Sequence, residues 1–299
     1  MRLIGKIMVP VIGVMATSSL FAGCAKTEPE NITKEVLFSD AINNFKKNNA
    51  LLATADLDMD LNIEASGFSI NVTGSSKYDV EGDLKNEVIH SVGDTDLEVF
   101  GLDQKMHTET YTTREDDSTV TYMCETTTEN DSAEWSYKKT ETDDVNWLGR
   151  IASVNVNDNE FKSQLDEFAK GVNLSSDTSK ADGTDCYVVS GVVTLDNDML
   201  SSMAEGTTAI TADNKVMADS VWYFNKKNHE LKKVELDLAS AIDNVSTQVE
   251  DVKVTPAKCN IIIYFSYDKK INLSIPADIK DSAKERVDSD NAIKMLTEI

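Results

Sequence analysis

Residues 53–65 read ATADLDMDLNIEA, with apolar and polar positions strictly alternating. A period of two puts Ala53, Ala55, Leu57, Met59, Leu61 and Ile63 on one face of a strand and Asp56, Asp58, Asp60 and Glu64 on the other. A long strand with one wet face belongs in an antiparallel sheet covered on its dry side. Upstream, residues 36–47 (VLFSDAINNFKK) switch to helical spacing, with Leu37, Ala41 and Phe45 in one stripe. Downstream, Gly67-Phe68 reads as a turn, and Phe68, Ile70 and Val72 alternate in a returning strand.

The habit recurs along the chain. Strand-like runs occupy 86–92, 96–100, 105–113 and 118–127, with TTREDDST as a hairpin loop and Val120, Tyr122 and Cys124 on one face. Trp135 and Tyr137 mark a further short strand. Helical patterns follow at 145–152 and 160–170; the second aligns Phe161, Leu165 and Phe168 and offers Gly171 as a C-cap. Strands resume at 185–195, and 196–203 reads as a short helix capped near Asp196. Val216, Ala218, Trp222 and Phe224 alternate, NKKNH turns the chain, and Val234, Leu236 and Leu238 return. Cys259, Ile261, Ile263, Phe265 and Tyr267 share a face, and Ile271, Leu273 and Ile275 are expected to close the sheet. No composition break interrupts 35–280, which predicts a single α+β domain of about ten antiparallel strands with a few helices, followed by a charged tail at 281–299.

The first residues follow other rules. Arg2 and Lys6 precede the apolar run IMVPVIGVMA, which has secretory length, and small residues lead into LFAGC ending at Cys24. That pentapeptide resembles the lipobox of bacterial lipoproteins, which implies a signal peptide at 1–23 and diacylglycerol on the Cys24 thiol. Residues 24–34, polar and containing Pro29, would then be the lipidated cysteine and a tether. The expected location is the extracytoplasmic side of the cell membrane. No later segment has the ~18 uninterrupted apolar residues of a membrane span.

Charge narrows the partners. The chain carries 29 Lys plus Arg against 52 Asp plus Glu, a net −23. Nucleic acid is excluded, because phosphate neutralisation needs a basic face. Electrostatic docking on an anionic bilayer is opposed as well, so membrane contact must come from lipid or apolar groups.

Chemistry finds little to work with. The acids of 53–65 lie ~7 Å apart along a strand, too spread to hold one cation alone, so a solvated face explains them better than calcium. Residues 155–159 begin in the calcium-loop rhythm, but Glu160 stands where the turn glycine belongs and Asp166 where the bidentate Glu belongs. His90, His107 and His229 lie in separate contexts, with no GxSxG or HExxH beside them, and a chain with 13 glycines has no phosphate loop. We therefore expect no enzyme, no catalytic residue, no metal and no cofactor. Cys124, Cys186 and Cys259 fit no zinc spacing, which leaves one disulfide with a spare thiol or three buried thiols.

Taken together, the helix-to-strand start ending in ATADLDMDLNIEA, the segment CYVVSGVVTLDNDML, the hairpin VWYFNKKNHELKKVELDL and the end INLSIPADIKDSA resemble the LolA-like, LppX/LprG-type lipoproteins over about 35–282. The resemblance implies a long curved antiparallel sheet, an open half-barrel, packed around a few helices, with an apolar cavity for acyl chains. Leu57, Met59, Leu61, Ile63, Trp147, Trp222, Phe224, Ile261 and Ile263 would line that cavity. It implies a non-enzymatic lipoprotein with a lipid or other apolar ligand. The alternative is a structural or regulatory envelope lipoprotein whose inner face is filled by its own side chains and which meets a protein partner.

Overall fold

The computed structural model describes residues 32–65, 67–116, 118–127, 133–140, 158–195, 216–240, 252–267 and 269–286. The alternation at 53–65 folds as one strand, β1 (Ala50–Ala65), at the middle of a large open curved sheet. The other strands are β2 (Phe68–Asp83), β3 (Val88–Val99), β4 (Leu102–Glu115), β5 (Ser118–Thr127), β6 (Trp135–Thr140), β7 (Val172–Ala181), β8 (Thr184–Leu195), β9 (Val216–Asn225), β10 (Leu231–Asp237), β11 (Val252–Ser266) and β12 (Lys284–Glu285). Their order across the sheet is β12-β6-β5-β4-β3-β2-β1-β11-β10-β9-β8-β7, a 12-stranded sheet. Every neighbouring pair is antiparallel except β12 with β6. This is the open half-barrel expected from the sequence, in a single domain.

Helices cover one face. In α1 (Lys34–Asn48) the Thr33 hydroxyl accepts from the Val36 N–H, Lys46 and Lys47 sit at the negative end of the dipole, and Asn49 ends the helix in the left-handed region. Its buried stripe is Leu37, Ala41, Ile42 and Phe45. α2 (Asn159–Lys170) joins it through Phe161 and Leu165, which pack on Ile42. Gly171 does not act as a left-handed cap. It permits a close approach instead, because a Cβ there would stand 2.5 Å from the Val192 carbonyl oxygen.

The sheet changes its apolar face partway across. Registered partners in a sheet share a face. Leu57 therefore lies on the same side as Ser76, Thr95 and Met106, whereas Leu52, Glu81, His90, Tyr111 and Tyr122 lie on the other. The core under α1 and α2 is built on the Leu57 side. A second cluster of Val88, Tyr111, Val120, Tyr122 and Ile279, with Trp135, Tyr137, Leu273 and Ile275 against it, is built on the opposite side of β3–β6. Its cover is the C-terminal segment and α3 (Ala277–Ser282).

Several sequence expectations change. Residues 86–92 and 96–100 are one strand, β3; Gly93 interrupts the pattern because the Tyr78 ring lies against it, 2.0 Å from where a Cβ would stand. Residues 271–275 are not a closing strand but an irregular stretch laid over the second core. Asp83, 1% exposed, pins it there. Its carboxylate accepts from the backbone N–H of Lys85 (2.9 Å), Asn86 (3.1 Å) and Leu273 (3.0 Å) and from the Asn86 amide (2.7 Å). β7 was not foreseen. The helices expected at 145–152 and 196–203 lie outside the described residues, as do the signal peptide, Cys24 and the tail from 287 onward.

Candidate functional site

The candidate site is the helix-covered face, and it divides into a filled part and a part the helices leave partly open. Register places Leu57 beside Ile261, Ala55 beside Ile263, Val234 beside both Ile263 and Trp222, and Leu231 beside Phe224. Over these residues α1 sets Phe38, which meets Phe168, Trp222 and Phe224 edge-on at centroid distances of 5.0, 5.2 and 5.0 Å. Leu57 and Trp222 are left 2% exposed, and Phe224, Ile261 and Ile263 0%. The one polar atom of the indole is satisfied within: Trp222 Nε1 donates to Ser220 Oγ at 3.0 Å, and that hydroxyl donates to the Gly191 carbonyl at 3.0 Å. At these five positions the chain's own side chains occupy the face.

Further along β1 the cover thins. Met59 is still buried, with Leu97 and Gly74 beside it, and the absence of a Gly74 side chain is what lets Leu97 close in. Leu61 and Ile63 are half-buried. Register extends their face sideways, Leu61 to Val72 to Val99 to Leu102 and Ile63 to Ile70, so the sequence-predicted pair joins an apolar strip. Val72, Val99 and Ile70 are half-buried as well, and the strip reaches Phe68 and Leu102 at its end. The alternation of Phe68, Ile70 and Val72 was visible in the sequence, but its continuity with Val99 and Leu102 depends on register. Trp147 lies outside the described residues.

Toward β5 the same face turns polar. Thr95 Oγ1 donates to Ser76 Oγ (2.9 Å), Ser91 and Thr110 share a hydrogen bond of 2.6 Å, and Thr112 and Thr121 one of 3.2 Å. Tyr78 lies across Gly93 with its hydroxyl 3.4 Å from Thr95, and burial pushes that phenol up from its ordinary pKa. These hydroxyls bond to one another, so they act as a sheet-stabilising ladder.

Titratable groups elsewhere do not converge. His90 meets Glu109 at 2.9 Å and stacks on Tyr111 at 4.3 Å, His107 meets Asp94 at 2.8 Å, and His229 meets Asp40 at 2.7 Å. Asp58, on the wet side of β1, pairs with Lys258. Among the described residues no group of three or more His, Cys, Asp and Glu side chains could hold a metal ion. The three cysteines are separate buried thiols, each with its pKa raised by burial, Cys259 to about 12. Raised pKa values make poor nucleophiles at neutral pH.

No protein-family model matches the chain, and no curated protein matches it. Among solved structures it is similar to a β-barrel-like protein of the domain of unknown function DUF1849 from Brucella abortus, at 10% identity and TM-score 0.25 over 72% of this chain and 96% of that one. It is also similar to a DUF1329 family protein from Desulfovibrio piger ATCC 29098, at 13% identity and TM-score 0.19 over 78% and 93%. At these scores the likenesses carry no argument about function.

Proposed function

We propose that the chain is an extracytoplasmic lipoprotein, held at the membrane by lipid on Cys24, that works as a non-enzymatic binding module for a lipid or another apolar ligand. The observation that supports it is the strip of Leu61, Ile63, Ile70, Val72 and Val99, half-buried and continuous with the filled core. An acyl chain needs contiguous apolar surface and few polar groups, and this strip meets both conditions. The ligand surface in this reading is the end of the face that α1 and α2 leave partly open, not the part under Phe38.

The filled part favours a second reading, an envelope lipoprotein that binds a protein partner and takes no lipid. Organic extraction of the purified chain followed by mass spectrometry separates the two. Stoichiometric co-purified lipid is expected, with loss of that lipid in Val72→Asp; a folded, lipid-free chain that takes up none would sink the ligand reading. For the anchor, Cys24→Ser is expected to abolish labelling by a fatty-acid probe, and labelling that persists would overturn that assignment.

A further inference from the structure

Among the described residues the two ends of the sheet differ in chemistry. Turns at one end carry Lys85, Asn86 and Glu87; Arg114, Glu115 and Asp116; Asp182; and Lys226, Lys227 and Asn228. Hairpin tips at the other end carry Phe68, 75% exposed, and Phe100 and Leu102, 70% and 67% exposed. No large apolar side chain is exposed at the polar turns among the described residues.

Turn geometry does not explain Phe100. The β3–β4 hairpin turns on Phe100-Gly101 with φ of 56° and 74°, and β7–β8 turns on Asp182-Gly183 with φ of 48° and 73°. Both are two-residue turns with positive φ at each central position, where Asn or Asp before Gly is favoured and a bulky side chain is strained. The polar end uses the favoured Asp. At the apolar end the same backbone carries an exposed aromatic ring in spite of that preference.

The tether points to what the ring meets. Lys34 Nζ bonds the Val172 carbonyl oxygen at 2.7 Å, and Val172 is registered through Gly191, Ser220, Leu236 and Ile261 to Leu57. The start of α1 therefore lies level with Leu57, whereas its end adjoins Ala50, so the chain enters the fold on the side of the hairpin tips. From Leu57 to Ala65 a strand covers ~26 Å. From Cys24 to Ile32 the chain can reach at most ~28 Å. The tips are staggered, because Leu102 is registered through Val99 and Val72 to Leu61, four residues or ~13 Å short of Ala65, so a bilayer holding Cys24 comes within contact of both when the strands lean from its normal and the line joining the tips lies along its surface.

We propose that the tips of the β1–β2 and β3–β4 hairpins rest in the lipid bilayer, with Phe68, Phe100 and Leu102 in its interfacial region. The apolar strip runs directly into them, so an acyl chain could pass between bilayer and strip without crossing water. The acids just behind each tip, Glu64 behind Phe68 and Glu98 and Asp103 behind Phe100 and Leu102, limit insertion to the tips and make a net-neutral, zwitterionic surface the fitting one for a chain of net −23. This inference rests on the lipoprotein reading of Cys24.

The test uses the full acylated chain in phosphatidylcholine vesicles containing bromine-labelled acyl chains. Phe68→Trp and Phe100→Trp serve as reporters, Lys227→Trp as the opposite-end control, and a fatty-acid probe verifies Cys24. Each reporter is read as the difference from the parent chain, which carries Trp135, Trp147 and Trp222 of its own; expected are blue-shifted, quenched added emission from both tip reporters and unquenched added emission from the control. A chain labelled at Cys24 whose tip reporters are not quenched overturns the tip proposal and leaves the anchor standing. A chain that does not label fails the anchor; its tip reporters are then read after adding it to the same vesicles, where absent quenching overturns the tips too. Phe100→Asn supplies the folding control: melting unchanged or higher, because the turn favours Asn, with quenching of the Phe68→Trp reporter reduced several-fold. Undiminished quenching in that variant would also overturn the proposal.

Discussion

Two residues show how local chemistry holds this sheet. Asp83 is a carboxylate out of water whose oxygens accept from three backbone N–H groups and the Asn86 and Asn49 amides, and through Leu273 it ties the C-terminal segment to β2. Removing it would take the acceptor from the Leu273 N–H and from the turn amides of Lys85 and Asn86, so Asp83→Ala should destabilise by ~2 kcal/mol in urea unfolding. Asp83→Asn should cost less, yet it sets an amide N–H against Leu273 N–H or Asn86 Nδ2; hydrogen exchange at the Leu273 amide should speed up. Cys259 tests burial from the other direction. Beside Met59 and 3% exposed, its thiol is held neutral by desolvation, with the Asp237 charge adding to the shift. A raised pKa favours the neutral form in the fold, so its stabilisation is complete below the ordinary thiol value of 9.0 and is lost as pH climbs toward about 12. Melting temperature should fall across that window, and iodoacetamide at pH 8 should modify Cys259 only after denaturant is added.

At the scale of elements, α1, α2 and most strands were legible because each has a dry face with a period. β7 was not, because Val172 and Ala181 are its buried ends and 175–180 between them are exposed, as suits an edge strand. The face switch was not legible either. Alternation marks which residues travel together but not which side they take, and one residue of register reverses every side chain. Tyr111, Val120 and Tyr122 alternate as cleanly as Leu57 and Met59, and only the pairing through β2 and β3 puts them on opposite sides. For the candidate site, Leu61 and Ile63 could be read from the sequence, but their neighbours Val99 and Leu102 required the register. The β7 edge depends on close backbone contact, since a Cβ on Gly191 would stand 2.2 Å from the Gly171 carbonyl oxygen. Gly191→Ala should therefore separate β8 from the end of α2, costing ~2 kcal/mol or more. Thermal melting checks the cost, and faster exchange at the Val192 amide, which donates to the Gly171 carbonyl at 3.0 Å, checks the place.

For the whole molecule, the question is whether one face serves two ends. Under α1 the face is a packed core, and a large-to-small change there removes contacts that nothing else replaces. Trp222→Ala should cost ~3–5 kcal/mol, because the indole is 2% exposed and meets both Phe38 and Phe168. Leu61 and Val72 sit on the same face with water still reaching them, so Leu61→Asp or Val72→Asp should cost ~1 kcal/mol, within the ordinary range for single substitutions. If the strip is a ligand surface, these acids should remove bound lipid almost completely, since a carboxylate cannot be stripped of water against an acyl chain. Trp222→Ala should leave the lipid content of the surviving folded protein unchanged. Lipid content by mass spectrometry, set against denaturant midpoints, therefore separates the ends of the face: stability should follow the core, and lipid should follow the strip. Equal, non-zero lipid in Val72→Asp and the parent chain would reduce the strip to exposed core and put the ligand elsewhere, whereas lipid in neither would leave binding to a protein partner.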